Sequence, residues 1–161
     1  MLRRWLLYPL LEVAAITARH DAVQYLVEHA SLRGLLREEL GAVYDIERLA
    51  GRLSLGVANP RDMGRLQSSL QSLPGLAKLL SKGAGKGKTA PALLEFDAKL
   101  LKTLSKVAKT LAETLVDEPP IITKDGGIIR DGFCSLVDEN RTLATGGKDA
   151  ILAIEERERK A

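Results

Sequence analysis

The sequence predicts an all-α protein, an elongated bundle of several helices with one long helix and a short β-hairpin-like turn. From Pro91 to Val116, apolar residues recur every three or four positions, which is the spacing of one face of an α-helix. Residues typical of helix starts precede several other apolar segments. Turn chemistry suited to a hairpin occurs only once, within residues 121–132. Helices therefore account for nearly all of the predicted structure.

Composition limits the classes of protein that the chain can represent. Its 161 residues are 45% hydrophobic but only 4% aromatic, so we expect one domain with an aliphatic core. The 24 basic and 21 acidic residues predict a surface of mixed sign, unlike the concentrated basic face of an autonomous nucleic-acid binder. The single cysteine excludes an internal disulfide and fits a reducing cytoplasm. No signal peptide or membrane span is predicted.

Residues 1–80 are predicted to form a helical base. Residues 1–7 have the pattern of the last turns of a helix that begins outside the chain, closed by Pro9. Residues 12–29 carry two apolar seams, which predicts a helix inside the bundle. His20 lies in one of these seams, where we expect a partly buried, hydrogen-bonded imidazole and no catalytic role.

Three further helix starts are predicted within this base. Ser31 and Asp45 precede apolar patterns and can accept hydrogen bonds from the first free backbone N–H groups. Asn59, Pro60 and Asp62 combine a cap, a first-turn proline and an acid near the positive end of the helix dipole. That helix is predicted to end at Pro74, where a short helix begins and runs to residue 80.

Residues 81–90 are rich in glycine and lysine and predict a flexible loop. The loop ends in Gly-Lys-Thr, but a phosphate-binding loop needs a glycine five positions before Gly87, where Lys82 stands, and a preceding strand, where a helix is predicted. We therefore favour a linker over a nucleotide site. Lys82, Lys86 and Lys88 could make weak contacts with a DNA backbone, although a solvated loop is the favoured interpretation.

Residues 91–116 are predicted to form the long helix. Its main face carries Leu100, Leu104, Val107 and Leu111, and a second apolar seam includes Ala108. About 26 residues at 1.5 Å each would make a rod of roughly 40 Å, which suits a strut.

Residues 133–161 are predicted to form an arm that leaves the bundle after the turn at 121–132. Asp125, Gly126 and Gly127 suit that turn because it needs positive φ angles. Gly146 and Gly147 are predicted to interrupt the helix of the arm. Its highly charged end should project outward or continue into further structure.

No group of residues has the pattern of a catalytic, cofactor or metal site. Cys134 has no base that the sequence identifies, so an incidental thiol is favoured. Trp5 could stack on a base but fits a core anchor better in its leucine-rich segment. His, Cys and carboxylate residues show no metal-ligand spacing. The sequence thus predicts a scaffold.

Several stretches together resemble the MutS family of mismatch-repair ATPases, specifically the helical core or lever region ahead of the inserted clamp. The similar stretches are, in order, Arg3-Arg4-Trp5-Leu6 with Pro9, Ala18-Arg19-His20-Asp21-Ala22-Val23, Asp45-Ile46-Glu47-Arg48-Leu49, Ala58-Asn59-Pro60-Arg61-Asp62, Gly126-Gly127-Ile128-Ile129-Arg130-Asp131-Gly132-Phe133 and the final Glu-Arg-Glu-Arg. His20, Cys134 and Asn140 depart from the family pattern. The resemblance covers essentially the whole chain, and we expect the chain to be a fragment.

The resemblance implies a role in recognising mismatched double-stranded DNA, in which this region links the ATPase domain to the clamp. The implied partners are that DNA, a second copy of the parent protein and a repair partner of the MutL type, in a cytoplasmic, nucleoid-associated setting. ATP and Mg²⁺ would bind the absent ATPase domain, and the fragment itself would hold no cofactor and be no enzyme. The predicted structural and transmission residues are Arg4, Trp5, Asp45, Asn59, Pro60, Asp62, Leu100, Leu104, Val107, Leu111, Gly126, Gly127, Arg130 and Gly132. The alternative is a self-contained helical adaptor that binds a partner protein.

Overall fold

A computed structural model describes residues 2–83 and 90–160, with side chains at all of these positions except 2, 82, 83, 148–150, 152–154 and 160. Helices dominate this part of the chain, and no strand occurs in it, which confirms the all-α class. Residues 84–89 lie outside the described residues. They make up most of the predicted flexible loop and include Lys86 and Lys88.

The helices follow the chain as α1 (Leu2–Leu7), α2 (Val13–Glu28), α3 (Ala30–Gly41), α4 (Ile46–Ser54), α5 (Pro60–Gly83), α6 (Ala98–Thr114) and α7 (Ser135–Lys160). Two 3-10 turns, Ala92–Leu94 and Thr123–Asp125, precede and follow α6.

Two of the predicted helix starts are confirmed by their hydrogen bonds. The Asp45 carboxylate accepts from the Arg48 N–H at 3.0 Å and caps α4. Asn59 and Asp62 cap α5 reciprocally, since each side chain accepts from the other's backbone N–H, at 2.8 and 3.2 Å. The predicted cap at Ser31 is wrong, because α3 already begins at Ala30.

The central element is α5, which packs into two hydrophobic clusters. Leu76 joins Tyr25, Leu32 and Leu36 of α2 and α3 in the first cluster. The second cluster, which we call the α5–α6 core, consists of Leu49, Leu66, Leu70 and Ala108. The predicted break at Pro74 is wrong because α5 continues through it to Gly83. Packing on both sides of the proline holds the helix together where its missing N–H would otherwise end it.

The predicted long helix at 91–116 is wrong in its first part. The chain forms a 3-10 turn at Ala92–Leu94, and α6 begins only at Ala98. Asp97 is the cap, since its carboxylate accepts from the N–H groups of Lys99 and Leu100. The helix has 17 residues and is therefore about 25 Å long.

The predicted hairpin at 121–132 is also wrong. That segment is fully described and contains the 3-10 turn Thr123–Asp125 and one isolated antiparallel bridge, between Leu115 and Ile129. Gly126 and Gly127 do have positive φ angles, 69° and 64°, as the turn chemistry indicated. Only one residue of the returning segment pairs in that bridge, and its partner lies at the end of α6, so no two-stranded hairpin forms.

Two further predictions are wrong, one about the exposure of α2 and one about the continuity of α7. The α2 helix lies on the surface of the described bundle, with Val13, Val23 and Val27 more than half exposed, and His20 is exposed instead of lying in a buried seam. At the other end, α7 runs unbroken for 26 residues through Gly146 and Gly147, contrary to the predicted interruption.

Candidate functional site

The candidate site is the junction that joins the end of α6 to the beginning of α7. After α6 the chain runs away from the helix and returns beside its last turn. There the backbone N–H of Arg130 donates to the Thr114 carbonyl at 2.8 Å, and the N–H of Val116 donates to the Ile128 carbonyl at 3.0 Å. These bonds place the Arg130 side chain at the carboxyl end of α6.

Arg130 satisfies carbonyl groups that the end of a helix leaves without partners. Its Nε donates to the carbonyls of Ala112 and Leu115, both at 3.1 Å, and its Nη2 donates to the Asp117 carboxylate at 2.6 Å. The negative end of the helix dipole also favours a cation at this position. Arg130 thereby fastens the returning segment to α6.

The bonds of Arg130 to the carbonyls stabilise the junction more than its ion pair does. A hydrogen bond from a charged donor contributes about 1.5–3 kcal/mol, and the single Nε–H of Arg130 shares such a bond between the two carbonyls. An exposed ion pair contributes about 0.2–1 kcal/mol, and the Asp117 side chain is 89% exposed. Asp117 is thus the less important partner.

Arg141 makes the corresponding contacts from the α7 side. Its Nη2 donates to the Ile129 carbonyl at 2.7 Å, and its Nη1 contacts the carboxylates of Asp131 and Asp138. Asp138 in turn accepts from the Gly132 N–H at 2.9 Å. The segment 129–132 is therefore tied to α6 by the side chain of its own Arg130, and to α7 by Arg141 and Asp138. We call these contacts the two-arginine junction.

Gly132 lies inside this junction and has a φ of 81°, a conformation that side chains other than glycine rarely adopt. It allows the chain to turn from the returning segment into α7 while its own N–H reaches Asp138. Gly126 and Gly127 are exposed at the far end of the same loop and take no part in the junction.

A close contact joins the loop after α6 to the middle of the base. Pro119 is buried against α5 at Gly64, where an added Cβ would stand 3.2 Å from the Pro119 Cδ and Cγ atoms. A side chain at position 64 would be tighter than ordinary van der Waals contact allows. Gly64 therefore lets the segment between α6 and the two-arginine junction rest directly on α5.

A separate polar site lies at the start of α5. The Asp62 carboxylate is buried, accepts from the Asn59 N–H and pairs with Arg52 Nε at 2.8 Å. The hydrogen bond from Asn59 lowers the pKa of Asp62 below its ordinary value, burial opposes this, and Arg52 adds to the lowering. The net effect keeps the carboxylate ionised. Pro60 is buried beside it as the first residue of α5.

The predicted transmission residues of α6 divide between core and surface. Leu104 packs on the α5–α6 core and Leu111 is partly buried, whereas Leu100 is 54% and Val107 43% exposed. The predicted main face is thus only half buried. The neighbouring seam faces α5 instead, because Ala108 is the buried residue at the contact.

The remaining predicted residues lie apart from the junction. Arg4 is exposed on α1, and Trp5 is 46% exposed with the Arg19 guanidinium 4.3 Å from its ring centroid. The prediction of a core anchor at Trp5 is therefore wrong in this structure. Lys82 lies near the end of α5, and its side chain is outside the described residues.

Sequence reasoning missed Arg141, Asp138 and Thr114 as members of the site. The three-residue spacing of Asp138 and Arg141 was a visible signal, because it places both on one side of a helix. The acceptor role of the Thr114 carbonyl had no sequence signal. It depends on where the returning segment lies.

Within the described residues, no group of three His, Cys, Asp or Glu side chains could hold a metal ion. None of the described helices is long and apolar enough to cross a membrane. The contacts of the two-arginine junction connect the end of α6, the returning segment and the first turns of α7.

Comparison with known proteins gives a consistent result over the whole length. Residues 1–161 match the family model of MutS domain III. The chain is 42% identical over 159 residues to the DNA mismatch repair protein MutS of Pelotomaculum thermopropionicum, 39% over 160 residues to that of Thermosynechococcus vestitus, and 37% over 161 residues to that of Bacillus subtilis. Each match covers 99% of this chain and 18% of the relative, so the chain spans less than a fifth of their length. Because the family match extends from the first residue to the last, the chain belongs to the MutS domain III family.

Proposed function

We propose that this domain transmits conformational change between the ATP-hydrolysing and DNA-clamping parts of a longer mismatch-repair protein. The observation that carries the proposal is the two-arginine junction, which ties the packed end of α6 to the root of α7 through Arg130 and Arg141. Family membership supplies the context, because the relatives are DNA mismatch repair proteins. The domain itself would act as a connecting part and perform no chemistry.

The packing supports such a role by making a continuous path. Close-packed interiors shift as units because they resist local deformation. A displacement of α4 or α5 would therefore move α6 through the α5–α6 core, where Leu49 is only 1% exposed. The two-arginine junction would pass the movement on to α7, since it bonds the end of one helix to the first turns of the other.

The cofactors and partners belong to this proposal. We place ATP and Mg²⁺ outside these 161 residues, because α5 runs as a helix up to Gly83, and a phosphate-binding loop would need a strand before the Gly-Lys-Thr at 87–89. Mismatched double-stranded DNA, a second copy of the parent protein and a MutL-type protein would engage the longer polypeptide, close to the chromosome.

The test uses the longer protein that contains this chain. Arg130→Gln and Arg141→Gln, alone and together, should leave mismatch binding and ATP hydrolysis intact but slow the ATP-induced release of DNA. About a tenfold slowing is expected for each, the factor that corresponds to ~1.4 kcal/mol of lost coupling. Fluorescence anisotropy of labelled DNA would measure release, and phosphate production would measure hydrolysis.

Two control variants test whether slower release is specific to the loss of Arg130 and Arg141. Arg37→Gln removes an exposed arginine from α3 and should release DNA at the normal rate. Asp117→Asn removes only the weak ion pair and should do the same. Normal release in the Arg130→Gln, Arg141→Gln double variant would contradict the proposal.

The alternative function, a helical adaptor, is favoured by one observation. Apolar side chains of α1 and the following segment are highly exposed, with Leu6 at 74%, Tyr8 at 76% and Leu11 at 90%. Such a surface is typical of a contact with another protein surface. The same release assay distinguishes the two functions, since an adaptor would not depend on Arg130 and Arg141 for ATP-driven release.

A further inference from the structure

We infer that Gly146 and Gly147 form a built-in bend point of α7, at which the outer half of the arm changes direction while its root stays fixed. The purpose of such a bend rests on the proposed transmission function. Its physical basis does not, because it follows from the local structure of α7 alone.

Neither packing nor backbone conformation explains why these two positions are glycines. Both residues are exposed, and apart from the helix's own nearby backbone and chain neighbours, no atom lies within 4 Å of where a Cβ would stand on either. Neither has a positive φ. Gly64 and Gly132 differ in this respect, since a close contact explains the first and a left-handed backbone the second.

The glycine pair lowers the stability of the α7 helix itself. Each glycine lowers the helical population at its position about fivefold relative to alanine, and two in succession about 25-fold. Little packing in the described part of α7 offsets this effect, because Leu143 is 73% and Ile151 61% exposed on either side of the pair. The helix is therefore weakest at its middle.

Two threonines add to this weakness on the inner side of the pair. The hydroxyl groups of Thr142 and Thr145 donate to the carbonyls of Asp138 and Arg141, at 2.9 and 3.0 Å. Such bonds to the residue four positions earlier bend helices and destabilise them slightly. They accumulate directly before Gly146.

The position of the pair suits a bend between a fixed and a free part. The root of α7 is held by Arg141 and Asp138 in the two-arginine junction. Gly146 follows little more than one helical turn later, about 7.5 Å along the axis. The charged outer part from Glu155 to Arg159 is exposed. A bend there would redirect the outer arm without disturbing the junction.

Spin-label distances along α7 of the whole 161-residue chain test the inference. Labels would be attached at Glu139→Cys and Glu158→Cys after Cys134→Ser has removed the native thiol. A straight helix separates these positions by roughly 28 Å. The native chain should give a broad distribution with shorter distances, and Gly146→Ala with Gly147→Ala should narrow it to one peak near that value.

Amide hydrogen exchange supplies a second measurement on the same variants. The double alanine variant should slow exchange at residues 144–151 by about 25-fold. Gly34→Ala with Gly51→Ala is the matched control, because both glycines are helical, exposed and free of nearby atoms. It should change neither the distance distribution nor exchange in α7.

A native distribution as narrow as that of the double alanine variant would overturn the bend point, as would unchanged exchange at 144–151. This result is distinguishable from failure of the proposed function. Both labels lie on α7, so Arg130→Gln should leave their distance unaltered even where it slows DNA release. A stiff arm could still transmit movement, and a flexible arm could exist without coupling.

Discussion

The two longest helices of this domain, α5 and α7, are held in opposite ways. Buried side chains hold α5 along its length, with Leu66, Ser69, Leu70 and Leu76 at 8%, 0%, 4% and 3% exposure. Hydrogen bonds and ion pairs at the root hold α7, and of its described side chains beyond the root, Leu143 and Ile151 are largely exposed. Helix length is therefore a poor guide to rigidity, which depends on what surrounds the helix.

The same contrast explains how each helix tolerates an unfavourable residue. Pro74 inside α5 costs about 3 kcal/mol in an isolated helix, but burial of a leucine contributes about 1.5–3 kcal/mol, and Leu70 and Leu76 are buried on either side. The glycine pair of α7 costs about 2 kcal/mol against two alanines, and the described side chains on either side of it, Leu143 and Ile151, are mostly exposed. Packing therefore offsets the cost of Pro74 in α5, whereas the cost of the glycine pair in α7 is not offset by the described side chains.

The largest expected difference between the two helices is the effect of shortening one leucine in each on the free energy of unfolding. Leu70→Ala in α5 should lower the free energy of unfolding by about 3 kcal/mol, because it removes buried methyl groups and leaves a cavity. Leu143→Ala in α7, at 73% exposure, should change it by less than about 0.5 kcal/mol. Urea unfolding followed by circular dichroism would measure both. Equal effects would mean that α7 is packed as well as α5.

A smaller, pH-dependent effect is expected at the start of α5. Asp62→Asn should lower the free energy of unfolding by about 1–2 kcal/mol at pH 7, since the capping bond and the Arg52 pair weaken. The folded pKa of Asp62 lies below the unfolded value. Its contribution is therefore complete above the unfolded pKa, near 3.9, and is lost as pH falls through the folded pKa.

Measuring the unfolding free energy of both proteins between pH 7 and pH 2 would check this sign. The difference between native and Asp62→Asn should be constant down to about pH 5 and then shrink. Asp131→Asn, whose carboxylate is 93% exposed, serves as the control and should differ little from native at pH 7. A difference that grew on acidification would contradict the lowered pKa.

The smallest expected effects have opposite signs at two helical glycines. Gly64→Ala should destabilise the protein by about 1 kcal/mol, since the new Cβ would press on Pro119. Gly34→Ala, with open space around it, should stabilise α3 by about 0.5–1 kcal/mol. Melting temperatures of the two variants would show the signs directly. A stabilising Gly64→Ala would mean that the loop after α6 does not rest firmly on α5.

Local features were predictable from the sequence to the extent that their interactions are short in range. The caps at Asp45 and at Asn59 with Asp62 depend on backbone groups within three residues, so their chemistry was already visible. The positive φ angles of Gly126 and Gly127 follow from the same short range. Asp97 was missed because the apolar spacing continues across it, back to Leu93.

Contacts between distant segments were not predictable in this way. Two apolar seams lie on α6, and periodicity does not state which one faces a partner. The structure buries Ala108 and leaves Val107 43% exposed. Pro74 appeared to be a helix end because its local cost is large, while the packing that overrides it comes from other helices. The two-arginine junction joins residues up to 18 positions apart.

By itself, the sequence determined the all-α class, two of the helix starts and the resemblance to the MutS family, because each depends on residue types at fixed short spacings. Only the tertiary structure decided that α5 is the central helix and that Ala108 faces it from α6. It also decided that Arg130 and Arg141 connect α6 to α7. The physical reason is that burial and long-range hydrogen bonds depend on which surfaces meet in three dimensions, and a one-dimensional pattern does not contain that information.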